Sequence, residues 1–142
     1  MPLVHVHFKN SRTPSFRKGV GDSIQRALIE TINVPPNDRF QIFASNTDDL
    51  IYDDQYLGIQ RTDEIIIIQI HLAKGRTVDQ KKALYKRIAE LLVSEQGVRP
   101  EDVFINLVEV GREDWSFGNG IAQYADLPPA HLAKTAAGQP PQ

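Results

Sequence analysis

No cysteine occurs in the 142 residues, which excludes disulfides and thiol chemistry and leaves the redox compartment open. Long apolar runs are missing too. The longest, "IIII" at 65–68, is far too short to span a bilayer. Basic residues are not in excess: 16 Lys and Arg stand against 18 Asp and Glu, for a net charge of -2. Without a basic stripe there is no footprint for a phosphate backbone, so nucleic acid is excluded as a partner. The N-terminus lacks the charged and apolar regions of a signal peptide, and the chain is expected to be cytoplasmic. Hydrophobic residues at 41% and charged ones at 24% are ordinary for one globular domain with a real core.

The chain repeats itself at an offset of 64 residues. "HFKNSRT" (7–13) falls on "HLAKGRT" (71–77), and "VPPNDRF" (34–40) falls on "VRPEDVF" (98–104), with no gap. Between them Val20, Ile24 and Leu28 fall on Leu84, Ile88 and Leu92. A repeat of this length is one supersecondary unit used twice. Each unit reads β-α-β, over 2–45 and 65–109. Strands are expected at about 3–8, 39–45, 65–72 and 103–109. Helices are expected at about 14–33 and 78–95. Thr13 is the first N-cap, with Pro14 at the first helical position. Thr77 and Gln80 form a capping box at the second. The first apolar stripe is Phe16, Val20, Ile24, Leu28 and Ile32, and the second is Leu84, Ile88, Leu91 and Leu92.

The crossovers make the strands of each unit parallel. Two such units pack about a pseudo-two-fold axis, giving an α/β (α+β) domain over 1–127. It has a four-stranded mixed sheet with two helices on one face. Residues 46–64 link the units, 110–127 form an irregular segment, and 128–142 are an extended tail. If the first strands of the units are antiparallel neighbours, Pro2 lies beside "AKGRT", facing Lys74 and Arg76.

Pro2 has two readings. Proline has no amide proton, so the start of a strand is a tolerated place for it. If Met1 is removed, Pro2 becomes a free secondary amine on a rigid element, able to act as acid, base or nucleophile. An α-amino group titrates near ~7.7–8.0, and nearby charges and burial move it. Asp38 lies at the start of the return strand, at the same sheet end as Pro2. Its repeat equivalent, Asp102, reads as a turn residue before a strand. His5 and His7 share a strand face, but no acidic or histidine cluster completes a metal set. They read as packing residues, with no metal and no cofactor implied.

The N-terminal proline, the doubled unit and the paired cations resemble the tautomerase superfamily. "DRFQ" (38–41), "RTVDQK" (76–81) and "DWSFGNGIAQY" (114–124) are similar to its malonate semialdehyde decarboxylase group, and the resemblance spans roughly 2–127. It implies Pro2 as the catalytic amine and Asp38 as the acid that assists it. Arg76 and Lys74 would hold a substrate carboxylate. Trp115, Phe117, Tyr124 and Leu127 would form an apolar wall. Two positions depart from the pattern: Lys74 stands where an arginine is usual, and Tyr124 adds a hydroxyl where Phe is frequent. A lysine offers a point charge instead of a bidentate fork. The resemblance further implies a small oxo acid as substrate and a homo-oligomer, a trimer in the family's manner, that covers the sheet edges. Asp38 is expected to keep the Pro2 amine protonated, which suits decarboxylation. The alternatives are keto–enol tautomerisation or hydration by the same site, or a non-catalytic oligomeric module with the same fold.

Overall fold

The offset of 64 residues is carried into three dimensions. A computed structural model describes residues 1–126. Strand β1 (Pro2–Phe8), helix α1 (Pro14–Ile32) and strand β2 (Gln41–Ser45) form the first unit; β3 (Ile66–Ala73), α2 (Val78–Gln96) and β4 (Val103–Val110) form the second. A short helix α3 (Gln123–Asp126) follows. The sheet order is β2-β1-β3-β4. Val4 pairs with Gln41 and Ile66 with Val103, so both parallel pairs share one register offset. In the central antiparallel pair His5 faces Gln69, its own repeat equivalent. The pseudo-two-fold axis therefore passes between those two residues.

Local signals account for the helices. Thr13 Oγ1 accepts from the Phe16 amide at 3.1 Å, and Thr77 makes the full capping box with Gln80. Asn33 and Gly97 close the helices at φ 55° and 68°, the left-handed region that stops a helix. Their apolar stripes pack on one sheet face. Val4, Val6, Phe8, Ile66, Ile68, Ile70 and Leu72 meet Val20, Ile24, Leu28, Leu84, Ile88 and Leu92, all buried.

Strand alternation puts Leu3, His5, His7, Ile42, Ile67, Gln69, His71, Phe104, Asn106 and Val108 on the other face, which no helix covers. It carries no charged side chain, and Ile42 and Phe104 are about half exposed. His5 lies between His7 and His71, with ring centroids 6.5 and 5.6 Å away, and the Asn46 amide donates to His7 Nδ1. Among the described residues no helix is long and apolar enough to cross a membrane, and no cluster fits a metal ion.

Candidate active site

Antiparallel pairing of β1 with β3 brings Pro2 opposite Leu72, and the parallel β1–β2 pair brings the residues before β2 to the same sheet end. Asp38 therefore reaches the start of the chain. The Met1 amine lies 3.6 Å from Asp38 Oδ2. Gln25 Nε2 holds the Asp38 backbone carbonyl at 3.1 Å, which fixes the loop. Arg76 leaves β3 and turns back, donating from Nη1 to the Ala73 carbonyl at 2.9 Å. Both charged residues are buried: Asp38 is 9% exposed and Arg76 is 7%.

These groups are not satisfied by the protein. Asp38 Oδ1, Arg76 Nε and Nη2, and Trp115 Nε1 are buried without a hydrogen-bond partner. Such atoms are rare in native structures and destabilising, so several at one place mark a site. Beside them is a cavity of about 430 Å³ lined by Met1, Pro2, Leu3, Phe40, Asp114, Trp115, Ser116 and Phe117. A larger surface groove of about 500 Å³ runs along α2 between Lys86 and Pro100. It holds none of the unpartnered buried atoms.

The segment after β4 builds the wall. Trp115 stacks on Phe117 at 5.3 Å, and Phe117 meets Tyr124 edge-on at 4.6 Å. Gln123 closes the loop, accepting from the Phe117 amide at 3.0 Å and donating to the Gly118 carbonyl at 3.0 Å. Gly118, Asn119 and Gly120 all have positive φ, so the chain reverses there and α3 returns Tyr124 to the site. Tyr124 is buried, and burial together with the Asp38 charge pushes its hydroxyl up to about 12. It stays protonated at neutral pH.

The expectation of a protonated amine concerns Pro2 once Met1 is removed; the terminal amine in this structure is that of Met1. Burial lowers the Met1 amine from its ordinary 8.0 to about 6; Asp38 opposes this and Arg76 adds to it. Desolvation outweighs the carboxylate because a terminal ammonium so enclosed loses its water shell. Burial likewise raises the Asp38 carboxyl, against the pull of the amine and Arg76. Between about pH 6 and 8 the unfolded amine binds a proton that the folded one does not. This group therefore makes folding less favourable as pH falls through that window.

The structure brings Pro2, Asp38, Arg76, Trp115, Phe117 and Tyr124 to one sheet end. Lys74 sits in the same loop as Arg76, but its side chain is exposed, and the charges acting on the amine are Asp38 and Arg76. Leu127 and the tail at 128–142 lie outside the described residues. Sequence reasoning missed Leu3, Phe40, Asp114 and Ser116 as lining residues. Phe40 had a signal: it stands two residues after Asp38 in an extended stretch, and so on the same side.

The sequence pattern of the family described as tautomerase enzymes matches residues 38–118. The probable tautomerase YusQ of Bacillus subtilis is 46% identical over 87% of this chain and 98% of its own. A second Bacillus subtilis protein, the probable tautomerase YrdN, is 33% identical over 87% of this chain and 96% of its own. Among solved structures, the FG41 malonate semialdehyde decarboxylase superposes with a TM-score of 0.83 at 36% identity, covering 90% of this chain and 98% of its own. Another malonate semialdehyde decarboxylase, described as having decarboxylase and hydratase activities, gives 0.81 at 29% identity over 87% and 95%. With its doubled β-α-β unit and a buried acid and guanidinium at the start of its first strand, this chain belongs to the tautomerase superfamily, close to the malonate semialdehyde decarboxylase group.

Proposed function

We propose that this protein decarboxylates a small 3-oxo acid of the malonate semialdehyde type, with the Pro2 nitrogen, freed by removal of Met1, as the catalyst. The observation that carries the reading is the set of unpartnered buried atoms on Asp38 and Arg76 around the terminal amine. Arg76 Nε and Nη2 offer a fork for a carboxylate. Lys74, on the same loop, is a second cation for the same group. Trp115, Phe117 and Tyr124 form an apolar wall that disfavours the charged carboxylate relative to neutral carbon dioxide.

Once Met1 is removed, the neutral form of the Pro2 amine is nucleophilic; burial and Arg76, which lower the Met1 amine at this end of the sheet, favour that form. It attacks the C3 carbonyl carbon, and water leaves to give an iminium. The C1–C2 bond then breaks, carbon dioxide departs, and the electron pair moves toward nitrogen as an enamine. Protonation at C2 and hydrolysis release the aldehyde and restore the amine. The Asp38 carboxylate assists the proton transfers. The same neutral amine also favours a second reading, in which it abstracts a proton from a 2-oxo acid as a tautomerase base.

Product analysis by proton NMR separates the two. Processed protein given malonate semialdehyde is expected to form acetaldehyde. Enolisation of a 2-oxo acid with no consumption of the 3-oxo acid would make tautomerase the correct assignment.

Two expectations follow from the same reading. In a pH profile, kcat/KM falls on the acid side as the amine protonates. Asp38→Asn removes a charge that raises the amine, so the acid limb moves to lower pH. An unmoved limb removes Asp38 from contact with the amine. The uncovered sheet face is read as the contact between copies of a homo-oligomer, as a trimer would need. Phe104→Glu puts a charge on that face and should reduce the mass in light scattering to that of one chain. Retention of the larger mass would show that Phe104 lies outside the contact.

A further inference from the structure

Each unit of the chain carries the same acid and the same guanidinium; the acid of one lies with the guanidinium of the other at each of two equivalent places in the fold, and only one place satisfies them. There Asp102 is fully buried and takes three hydrogen bonds. The Thr62 amide and the Thr62 hydroxyl each donate at 2.7 Å, and Arg99 Nη1 donates at 3.1 Å. Arg12, the equivalent of Arg76, pairs with the Glu64 carboxylate. At the other place, beside the chain start, Asp38 Oδ1 and Arg76 Nε and Nη2 have no partner from the protein.

The two units share strand offsets and N-cap threonines, and their helices are of equal length, so what fills one place outlines what fits the other. Segment 62–64 brings a carboxylate to one guanidinium and an N–H and O–H to one carboxylate. We propose that the ligand of the Asp38–Arg76 place is a small carboxylic acid that also bears a hydroxyl, its carboxylate on Arg76 and its O–H donating to Asp38 Oδ1. This rests on the reading of Arg76 as the carboxylate site and adds the requirement for a donor.

The chemistry of Asp38 supplies the reason. An ionised carboxylate only accepts hydrogen bonds. The terminal amine sits on the Oδ2 side, and Oδ1 is left buried and bare. A carbonyl oxygen is also only an acceptor, so a keto or aldehyde group leaves Oδ1 unpaired. A hydrated aldehyde, an enol or a hydroxy acid has the O–H that it lacks. The site therefore holds the hydrated or enolic form of an oxo acid more tightly than the free carbonyl form, which is the minor bound form that the amine attacks.

Isothermal titration of the processed protein at pH 7.5 with propanoate, 3-methoxypropanoate and 3-hydroxypropanoate tests this. The methoxy compound keeps the oxygen as an acceptor and removes the donor. The hydroxy acid is expected to bind about ten-fold or more tightly than either, the effect of one hydrogen bond to a charged acceptor. In Asp38→Ala the three should bind alike, and in Arg76→Ala all three should weaken together. Hydroxy and methoxy acids binding the wild type within about two-fold, with both still dependent on Arg76, would overturn the donor requirement and leave the carboxylate site standing. Affinities indifferent to Arg76→Ala, or no binding of any of the three, would overturn both.

Discussion

Protein that keeps Met1 is expected to lose about 10³-fold or more in turnover of a 3-oxo acid, more than any single side-chain change at the site. With Met1 in place the nitrogen of Pro2 is an amide, with no lone pair to donate and no proton to exchange near neutrality. The amine is then on Met1, one residue outward, 3.6 Å from Asp38 and on a different, primary nitrogen. Pro2 is anchored by pairing with Leu72 in the middle of the sheet, so its nitrogen is placed by β1 and not by a mobile end. Proximity of this kind is easily lost when a reacting atom moves by about an ångström. Intact mass gives the fraction of each form, and the rate should follow the fraction with free Pro2. Equal rates from both forms would show that the amine is not the catalyst.

Asp102→Ala should destabilise the protein by about 3 kcal/mol in urea unfolding, whereas Asp38→Ala should change stability by less than about 1 kcal/mol or increase it. Asp102 accepts two bonds from Thr62 and one from Arg99, and it ties the linker to β4. Removing it strands a backbone amide and leaves a guanidinium short of a partner. Asp38 occupies the equivalent place but has one bare buried oxygen, and its carboxyl is raised by burial. Taking away a desolvated charge with so few partners removes an unfavourable term along with a favourable one. Activity should divide the other way: Asp38→Ala is strongly reduced, though less than the Met1-retaining form, and Asp102→Ala stays active while folded. A large loss of stability in Asp38→Ala would mean that its carboxylate is a structural anchor.

The fold was legible because the chain states it twice. A single β-α-β unit leaves strand order open, but two with one offset demand a two-fold relation. Pairing of His5 with its own equivalent Gln69 is the consequence. Pro2, Asp38 and Arg76 could be placed together from that relation alone. Asp102 was legible as a turn residue before β4, but its bonds to Thr62 were not, because Thr62 lies in the 46–64 linker, which has no periodicity to follow. The charge state of a terminal amine is not legible for a similar reason. Asp38 is visible in the sequence, but the enclosure of residue 1 depends on how Trp115 and Phe117 fold back, and desolvation there outweighs the carboxylate. Lys74 and Arg76 look alike on paper. One turn of loop buries the second and leaves the first exposed, because Arg76 is tied to Ala73.

The central claim is that the Pro2 nitrogen bonds to the substrate carbon, and reductive trapping tests it most directly. Borohydride added during turnover of malonate semialdehyde reduces the iminium to a stable amine. Peptide mass spectrometry then locates the label. The label is expected on Pro2, and it should disappear in the Met1-retaining form. Full turnover with no adduct, or an adduct on Lys74 in place of Pro2, would contradict the account.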